Sequence, residues 1–154
     1  MYDNIEKNWE TWYPTLCGVA HFCAATYITF FTEFKVAGSI FGQRELWSPI
    51  FALAAGATGI LFSVYVFIMA PSAGFVEKIS KLGIFARFRS FVANSLFLTI
   101  LVTIATYPLI AARPDQFNEG WFVWLSIVSS SLAVIMALSI FRVIRIFLVW
   151  ASGN

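Results

Sequence analysis

Four continuous apolar runs dominate the pattern of this 154-residue chain, and its polar and charged residues fall mainly between them. The runs cover about residues 13–31, 50–70, 91–112 and 121–141. Each is close to the ~20 residues that a helix needs to cross a bilayer. None alternates apolar and polar positions as a membrane β-strand does. The pattern therefore predicts an all-α integral membrane protein in which residues 1–154 form a single four-helix transmembrane domain.

Prolines and tryptophans indicate where these spans end. Pro14 and Pro49 lie at run boundaries, where the missing N–H of proline is tolerated, and we expect them to mark helix ends. Trp47 and Trp121 lie at the same boundaries and are typical of the aromatic belts found at membrane interfaces.

Composition excludes several classes of protein. Hydrophobic residues make up 60% of the chain and charged residues 12%, against about 25% charged in soluble domains. A formal net charge of +2 gives no reason to expect nucleic-acid binding. No Asp or Glu lies within the four apolar runs, and no nucleophile-and-base arrangement is present. We expect no enzymatic activity and no cofactor of the chain's own.

The basic residues are divided unequally between the two ends of the predicted spans. One end carries seven of the ten, namely Lys7, Lys78, Lys81, Arg87, Arg89, Arg142 and Arg145. The other end carries Lys35, Arg44 and Arg113. Because Lys and Arg accumulate on the cytoplasmic side of membrane proteins, this division predicts an inner- or plasma-membrane protein with both termini cytoplasmic.

Residues 75–90, FVEKISKLGIFARFRS, form the predicted cytoplasmic connector between the second and third spans. On a helix, Phe75, Ile79 and Leu82 share one apolar stripe, while most of the bases fall off it. This amphipathic connector either anchors the topology or docks a cytoplasmic partner or gating ligand. The residues predicted to bind lipid headgroups or a partner are Lys78, Lys81, Arg87, Arg89, Arg142 and Arg145.

A few polar residues interrupt the apolar runs and are candidates for a polar lining or a ligand site. They are His21, Asn94, Ser126 and Ser130. His21 is expected to hydrogen-bond between helices or face a polar cavity, with haem or quinone ligation through a partner subunit as an alternative. Cys17 and Cys23 do not complete a zinc site, because zinc takes four ligands and the chain has no further Cys or His.

Small residues repeat along one face of the second span. Ala55, Gly59 and Ser63 are spaced at i and i+4, which allows close approach of a neighbouring helix. The face is expected to pack either within one bundle or against a second copy in a homo-oligomer.

Residues 50–148 resemble small four-helix membrane proteins of phage exclusion and defence. The resemblance rests on the small-residue second span ALAAGATGILFSVYVFIMA and on VEKISKLGIFARF running into SFVANSLFLTILVTI. RexB-like proteins and the membrane subunit of Kiwa-type systems have this plan. The resemblance implies permeabilisation of the inner membrane or anchoring of a soluble partner, and it assigns no functional residue here.

Three functions remain open at this point. The first is a small oligomeric membrane effector or channel-like protein, with an anti-phage role as one form, that acts on inner-membrane integrity or anchors a cytoplasmic partner. The second is a non-catalytic accessory subunit of a larger respiratory, photosynthetic or oxygenase complex, contacting other membrane subunits. The third is the membrane anchor of a redox enzyme that uses His21.

Overall fold

The computed structural model describes residues 2–31, 44–69, 83–113, 116 and 120–152, which form four long helices. They are α1 (Tyr2–Phe31), α2 (Arg44–Met69), α3 (Gly83–Ala111) and α4 (Gly120–Ser152). By length and composition each is able to cross a membrane, over Thr11–Phe31, Glu45–Met69, Phe85–Ala111 and Gly120–Val149. The all-helical architecture with four candidate spans, predicted from the apolar runs, is confirmed.

The helices are longer than the apolar runs from which they were predicted. The expectation that Pro14 and Pro49 mark helix ends is wrong, because they lie inside α1 and α2. Each proline removes one backbone hydrogen bond, and the apolar residues on both sides keep the helix continuous. At the other end of the chain, α4 continues past residue 141 because the residues that follow stay apolar apart from Arg142 and Arg145.

The second half of the predicted connector is part of α3. Residues 83–90 form the first turns of this helix, with Phe85 and Phe88 packed against the core and Arg87 and Arg89 exposed. Gly83 is the first residue of α3. Residues 75–82, including Lys78 and Lys81, lie outside the described residues, and an amphipathic segment there stays a prediction.

The described helices pack in the spatial order α2, α3, α4, α1. Three clusters of buried residues hold α2, α3 and α4 together along their lengths. The first contains Trp47, Leu109, Ala112 and Phe122; the second contains Ala54, Val102 and Met136; the third contains Leu61, Ile68, Phe91, Val92 and Val143. In the first and third clusters early residues of one helix meet late residues of the next, and the second joins their middle parts, so α2, α3 and α4 run antiparallel to their neighbours.

Helix α1 packs on α4 through a close backbone approach. A Cβ added to Gly18 would collide with the Ile135 side chain and lie 3.3 Å from the Ser131 carbonyl oxygen. The Tyr13 hydroxyl donates to the Leu138 carbonyl at 3.3 Å. Near the other end of the helix, the ring centroids of Phe30 and Trp124 are 5.1 Å apart. The missing side chain at Gly18 therefore lets α1 lie directly against α4.

Large apolar side chains are exposed on all four helices. Val19, Ile60, Ile104 and Ile144, one from each helix, are each about half exposed or more. A surface of this kind is unfavourable in water and favourable against lipid chains. The exposed surface is consistent with a membrane protein.

Candidate functional site

Arg142 of α4 is a buried cation, unlike the other arginines near it. Its residue exposure is 6%, and its Nη1 donates to the Thr11 carbonyl oxygen of α1 at 3.3 Å. Its guanidinium carbon lies 3.9 Å from the ring centroid of Phe91 on α3, a cation–π distance. One side chain thus connects α4 with both α1 and α3.

Arg142 also lines a cleft of about 310 Å³ between α1, α3 and α4. The polar residues of its lining are Thr11, Thr15, Asn94, Ser139 and Arg142. The apolar residues of its lining are Pro14, Phe97, Leu98 and Ile135. Among these described residues there is one cation and no carboxylate. The cleft opens between α1 and α3, where the exposed side chains of Thr15, Asn94 and Phe97 form its rim.

The exposed arginines lie at the same end of the helices as the cleft. Arg87 and Arg89 lie within about one turn of Phe91, and Arg145 lies one turn beyond Arg142. We call the end defined by these four arginines, Arg87, Arg89, Arg142 and Arg145, the arginine end. Of the six bases predicted to bind lipid or a partner, the four that the structure describes lie at this one end. Arg142 is buried, and the other three are exposed.

Of the four residues predicted to form a polar lining, Asn94 lines the cleft. Ser126 and Ser130 are buried on α4, and the Ser130 hydroxyl donates to the Ile127 carbonyl of its own helix at 2.9 Å. The Ser126 hydroxyl is buried without a hydrogen-bond partner among the described residues, and neither serine lines the Arg142 cleft.

His21 makes the interhelical hydrogen bond that its position in the first span predicts. Its Nδ1 lies 3.1 Å from the Ser131 hydroxyl oxygen on α4. That hydroxyl donates its one proton to the Ile127 carbonyl at 2.8 Å, so it accepts from Nδ1–H. In the neutral imidazole, Nε2 is then the unprotonated nitrogen. The bond lies one turn from Gly18 and adds a polar contact to the close α1–α4 packing.

Metal ligands do not converge in the part of the chain that the structure describes. It contains no group of three or more His, Cys, Asp or Glu residues able to hold a metal ion. Cys17 and Cys23 are free and exposed. His21 is therefore not part of such a group among the described residues.

Several other hydroxyls in the candidate spans bond to carbonyls of their own helices, whereas those of Thr26, Thr29 and Ser95 are buried without a hydrogen-bond partner among the described residues. Thr58 donates to Ala54, and Thr103 donates to Thr99, each at 2.8 Å. Such bonds satisfy a hydroxyl without water and allow it to lie in apolar surroundings. Ser129 instead donates to the Ala105 carbonyl of α3 at 3.3 Å. The hydroxyls that make these bonds serve helix structure and packing.

The small-residue face of α2 is exposed in the single chain. Ala55, Gly59 and Ser63 all lie on the surface, and a Cβ added to Gly59 would meet no atom within 4 Å. The Ser63 hydroxyl donates to the Gly59 carbonyl at 2.9 Å. Packing of this face against another described helix of the same chain is therefore not found. Contact with a second copy or another subunit stays a prediction.

Sequence reasoning missed several residues of the cleft. Thr11 and Thr15 are spaced at i and i+4 on α1, and Ser139 is three residues before Arg142 on α4. These spacings place Thr11 and Thr15 on one face of α1, and Ser139 and Arg142 on one face of α4. They are the sequence features from which the cleft residues could have been predicted. The spacings do not reveal that the two faces meet, because that depends on α1 packing on α4.

No protein-family model, curated protein or solved structure matches this chain. The helices alone therefore define its class: the described part of the chain is all-helical, with four helices long and apolar enough to cross a membrane.

Proposed function

We propose that all four helices span the inner or plasma membrane, with both termini and the arginine end on the cytoplasmic side. The exposed apolar surface of each helix supports insertion, and the unequal division of Lys and Arg supports the orientation. Arg87, Arg89 and Arg145 then lie in the headgroup region, where bases contact anionic lipid.

Cysteine labelling in intact cells tests this topology. Cys17→Ala with Cys23→Ala provides the background, because both native thiols are exposed. A single cysteine replacing Gln116 is expected to react with a membrane-impermeant maleimide. One replacing Ser80 in the predicted connector is expected to react only after the membrane is opened. Labelling of both positions from outside contradicts the four-span arrangement.

We propose that the protein is a small, channel-like membrane effector that acts as an oligomer and carries out no catalysis. The observation that carries this proposal is the cleft containing Arg142, a buried cation beside polar side chains in an otherwise apolar bundle. Ionisable residues within membrane spans are costly and characteristically face cavities on ion or substrate pathways. Arginine in such a position favours anions. The cleft would act as the cytoplasmic vestibule.

Several copies are needed for a complete pathway. The cleft is lined by residues near the arginine end of the helices, so one chain supplies a vestibule alone. The exposed face around Gly59 is suited to close contact between copies, because small residues allow helix backbones to approach. The resemblance to phage-exclusion and defence proteins supports an anti-phage role that depolarises the inner membrane or anchors a cytoplasmic partner.

Reconstitution of the purified protein tests this function. Chloride flux into liposomes and the oligomeric state are measured on the same preparation. Wild type is expected to self-associate and conduct. Gly59→Leu is expected to reduce both, because the larger side chain separates the helices. Arg142→Gln is expected to reduce flux without dissociating the oligomer, and Arg113→Gln serves as the charge-matched control from the opposite end. A monomeric wild type without flux rejects the proposal.

A non-catalytic accessory subunit of a larger membrane complex is the second candidate. It is favoured by the use of several serine and threonine hydroxyls in helix packing and by the exposed face of α2. The two functions predict different results when the protein is extracted in mild detergent. An accessory subunit co-purifies with other membrane subunits in fixed ratio and does not conduct alone, whereas the effector is isolated as its own oligomer.

A further inference from the structure

We propose that the Arg142 cleft is a binding site for one membrane phospholipid with an anionic phosphate headgroup. The site is the cleft on which the proposed function rests, but lipid binding there does not require ion conduction. The ligand is a lipid of the phosphatidylglycerol class, with its phosphate at Arg142.

The depth of Arg142 agrees with the position of a lipid phosphate. Thr11 is the first residue of the candidate span of α1, and the Arg142 Nη1 is 3.3 Å from its carbonyl oxygen. Along α1 the guanidinium lies where the candidate span begins, and along α4 it lies seven residues before the span ends, about 10 Å further in. Phosphates of the surrounding bilayer lie in this interfacial zone, within reach of the cleft rim.

The guanidinium is held in a defined orientation. The Thr11 carbonyl accepts from Nη1, and the Phe91 ring lies 3.9 Å from the guanidinium carbon. A planar guanidinium with five N–H donors serves several acceptors at once, and its fork matches the spacing of phosphate oxygens. Arg142 can therefore keep its protein contacts and also contact a phosphate at the cleft.

Uncharged donors surround the cation. Ser139 is 2% exposed and lies about one turn before Arg142 on the same helix. Asn94 and Thr15 approach from α3 and α1 and are exposed at the rim. Amide and hydroxyl groups donate to phosphate and glycerol oxygens, and none of them repels an anion.

The shape of the cleft distinguishes a lipid from a free anion. Its volume of about 310 Å³ equals that of roughly ten water molecules, enough for a phosphate and glycerol group but not for acyl chains. Its walls are otherwise apolar, and Phe97 is 62% exposed at the rim. A lipid places its acyl chains against these apolar residues between α1 and α3, whereas inorganic phosphate gains nothing from them.

Native mass spectrometry of the detergent-purified full chain tests the site. Phosphatidylglycerol, phosphatidylcholine and inorganic phosphate are titrated separately. Wild type is expected to bind one phosphatidylglycerol with an affinity at least several-fold above that for phosphatidylcholine. Arg142→Gln is expected to weaken this binding about tenfold, as for loss of one hydrogen bond to a charged group. Arg113→Gln, which removes an equal charge from the opposite end, should bind as wild type does.

A second variant keeps the test decisive where Arg142→Gln fails to fold. Asn94 is exposed, so Asn94→Leu leaves the core intact and is expected to weaken binding about threefold, the effect of one neutral hydrogen bond. Unchanged binding in Asn94→Leu overturns the site. Equal losses in Arg142→Gln and Arg145→Gln also overturn it, since they indicate diffuse attraction to the arginine end.

Competition between ligands separates a phospholipid site from a free-anion site. Displacement of phosphatidylglycerol by equimolar inorganic phosphate indicates a free-anion site and overturns the lipid proposal. Equal binding of the two lipids overturns it as well. Because the lipid titration is independent of ion flux, lost lipid selectivity with retained conduction rejects the lipid site alone. Selective binding without conduction rejects the channel-like function alone.

Discussion

Replacing Gly18 by alanine is expected to destabilise the fold by about 1–3 kcal/mol, the range for forcing extra atoms into a packed interface. The new Cβ would collide with the Ile135 side chain and lie 3.3 Å from the Ser131 carbonyl oxygen. Relief of this collision requires the Ile135 side chain to change rotamer or α1 to move away from α4, and the second response also lengthens the hydrogen bond between His21 and Ser131.

The chain offers a matched control and a rescue for this prediction. Gly56→Ala makes the same change on α2, where a Cβ would meet no atom within 4 Å. It is expected to be neutral or to stabilise by up to about 1 kcal/mol through helix propensity. Adding Ile135→Ala to Gly18→Ala removes the colliding atoms and should recover part of the loss. Thermal unfolding in detergent measures all variants, and equal stability of the two alanine variants contradicts the close α1–α4 approach.

Trp47→Ala is expected to have the larger effect, a loss of about 3–5 kcal/mol. Trp47 is fully buried near the start of α2, where it packs with Leu109, Ala112 and Phe122. Its removal leaves a cavity where α2, α3 and α4 meet, because the side chains of a close-packed core move too little to fill the space.

An exposed tryptophan provides the comparison for Trp47. Trp12 on α1 is 60% exposed, and Trp12→Ala is expected to change stability by less than about 0.5 kcal/mol. Urea or thermal unfolding followed by circular dichroism distinguishes the two variants. A loss from Trp47→Ala as small as that expected for Trp12→Ala would mean that Trp47 acts as an interfacial belt residue, as its sequence position first indicated, and not as a core residue.

The four helices could be predicted from sequence because their signal is local. About twenty apolar residues in succession leave a helix as the simplest way to satisfy the backbone, whatever the neighbouring segments do. The same property conceals how the helices pack. A helix that is apolar on every side does not reveal which face meets a neighbour, so the order α2, α3, α4, α1 could not be predicted.

Two pairs of similar residues show where sequence reasoning stops. Arg142 and Arg145 are three positions apart on one helix, yet Arg142 is buried and Arg145 is exposed. The difference arises from Thr11 and Phe91, which distant segments bring to Arg142. Gly59 belongs to a repeated small-residue motif but is exposed, whereas the close helix contact occurs at a glycine without that motif, Gly18.

The packing order has a consequence for the biogenesis of the proposed membrane protein. Helix α1 leaves the ribosome first, but its packing partner α4 leaves last, with His21 and Ser131 separated by 110 positions. At 5–20 residues per second, translation takes roughly 5–20 s to cover that separation. For this time the Gly18 surface and the His21 imidazole are without α4, and insertion machinery or lipid must cover them. Helices α2, α3 and α4 are adjacent in sequence and can pack as they emerge, whereas docking of α1 has to wait for α4.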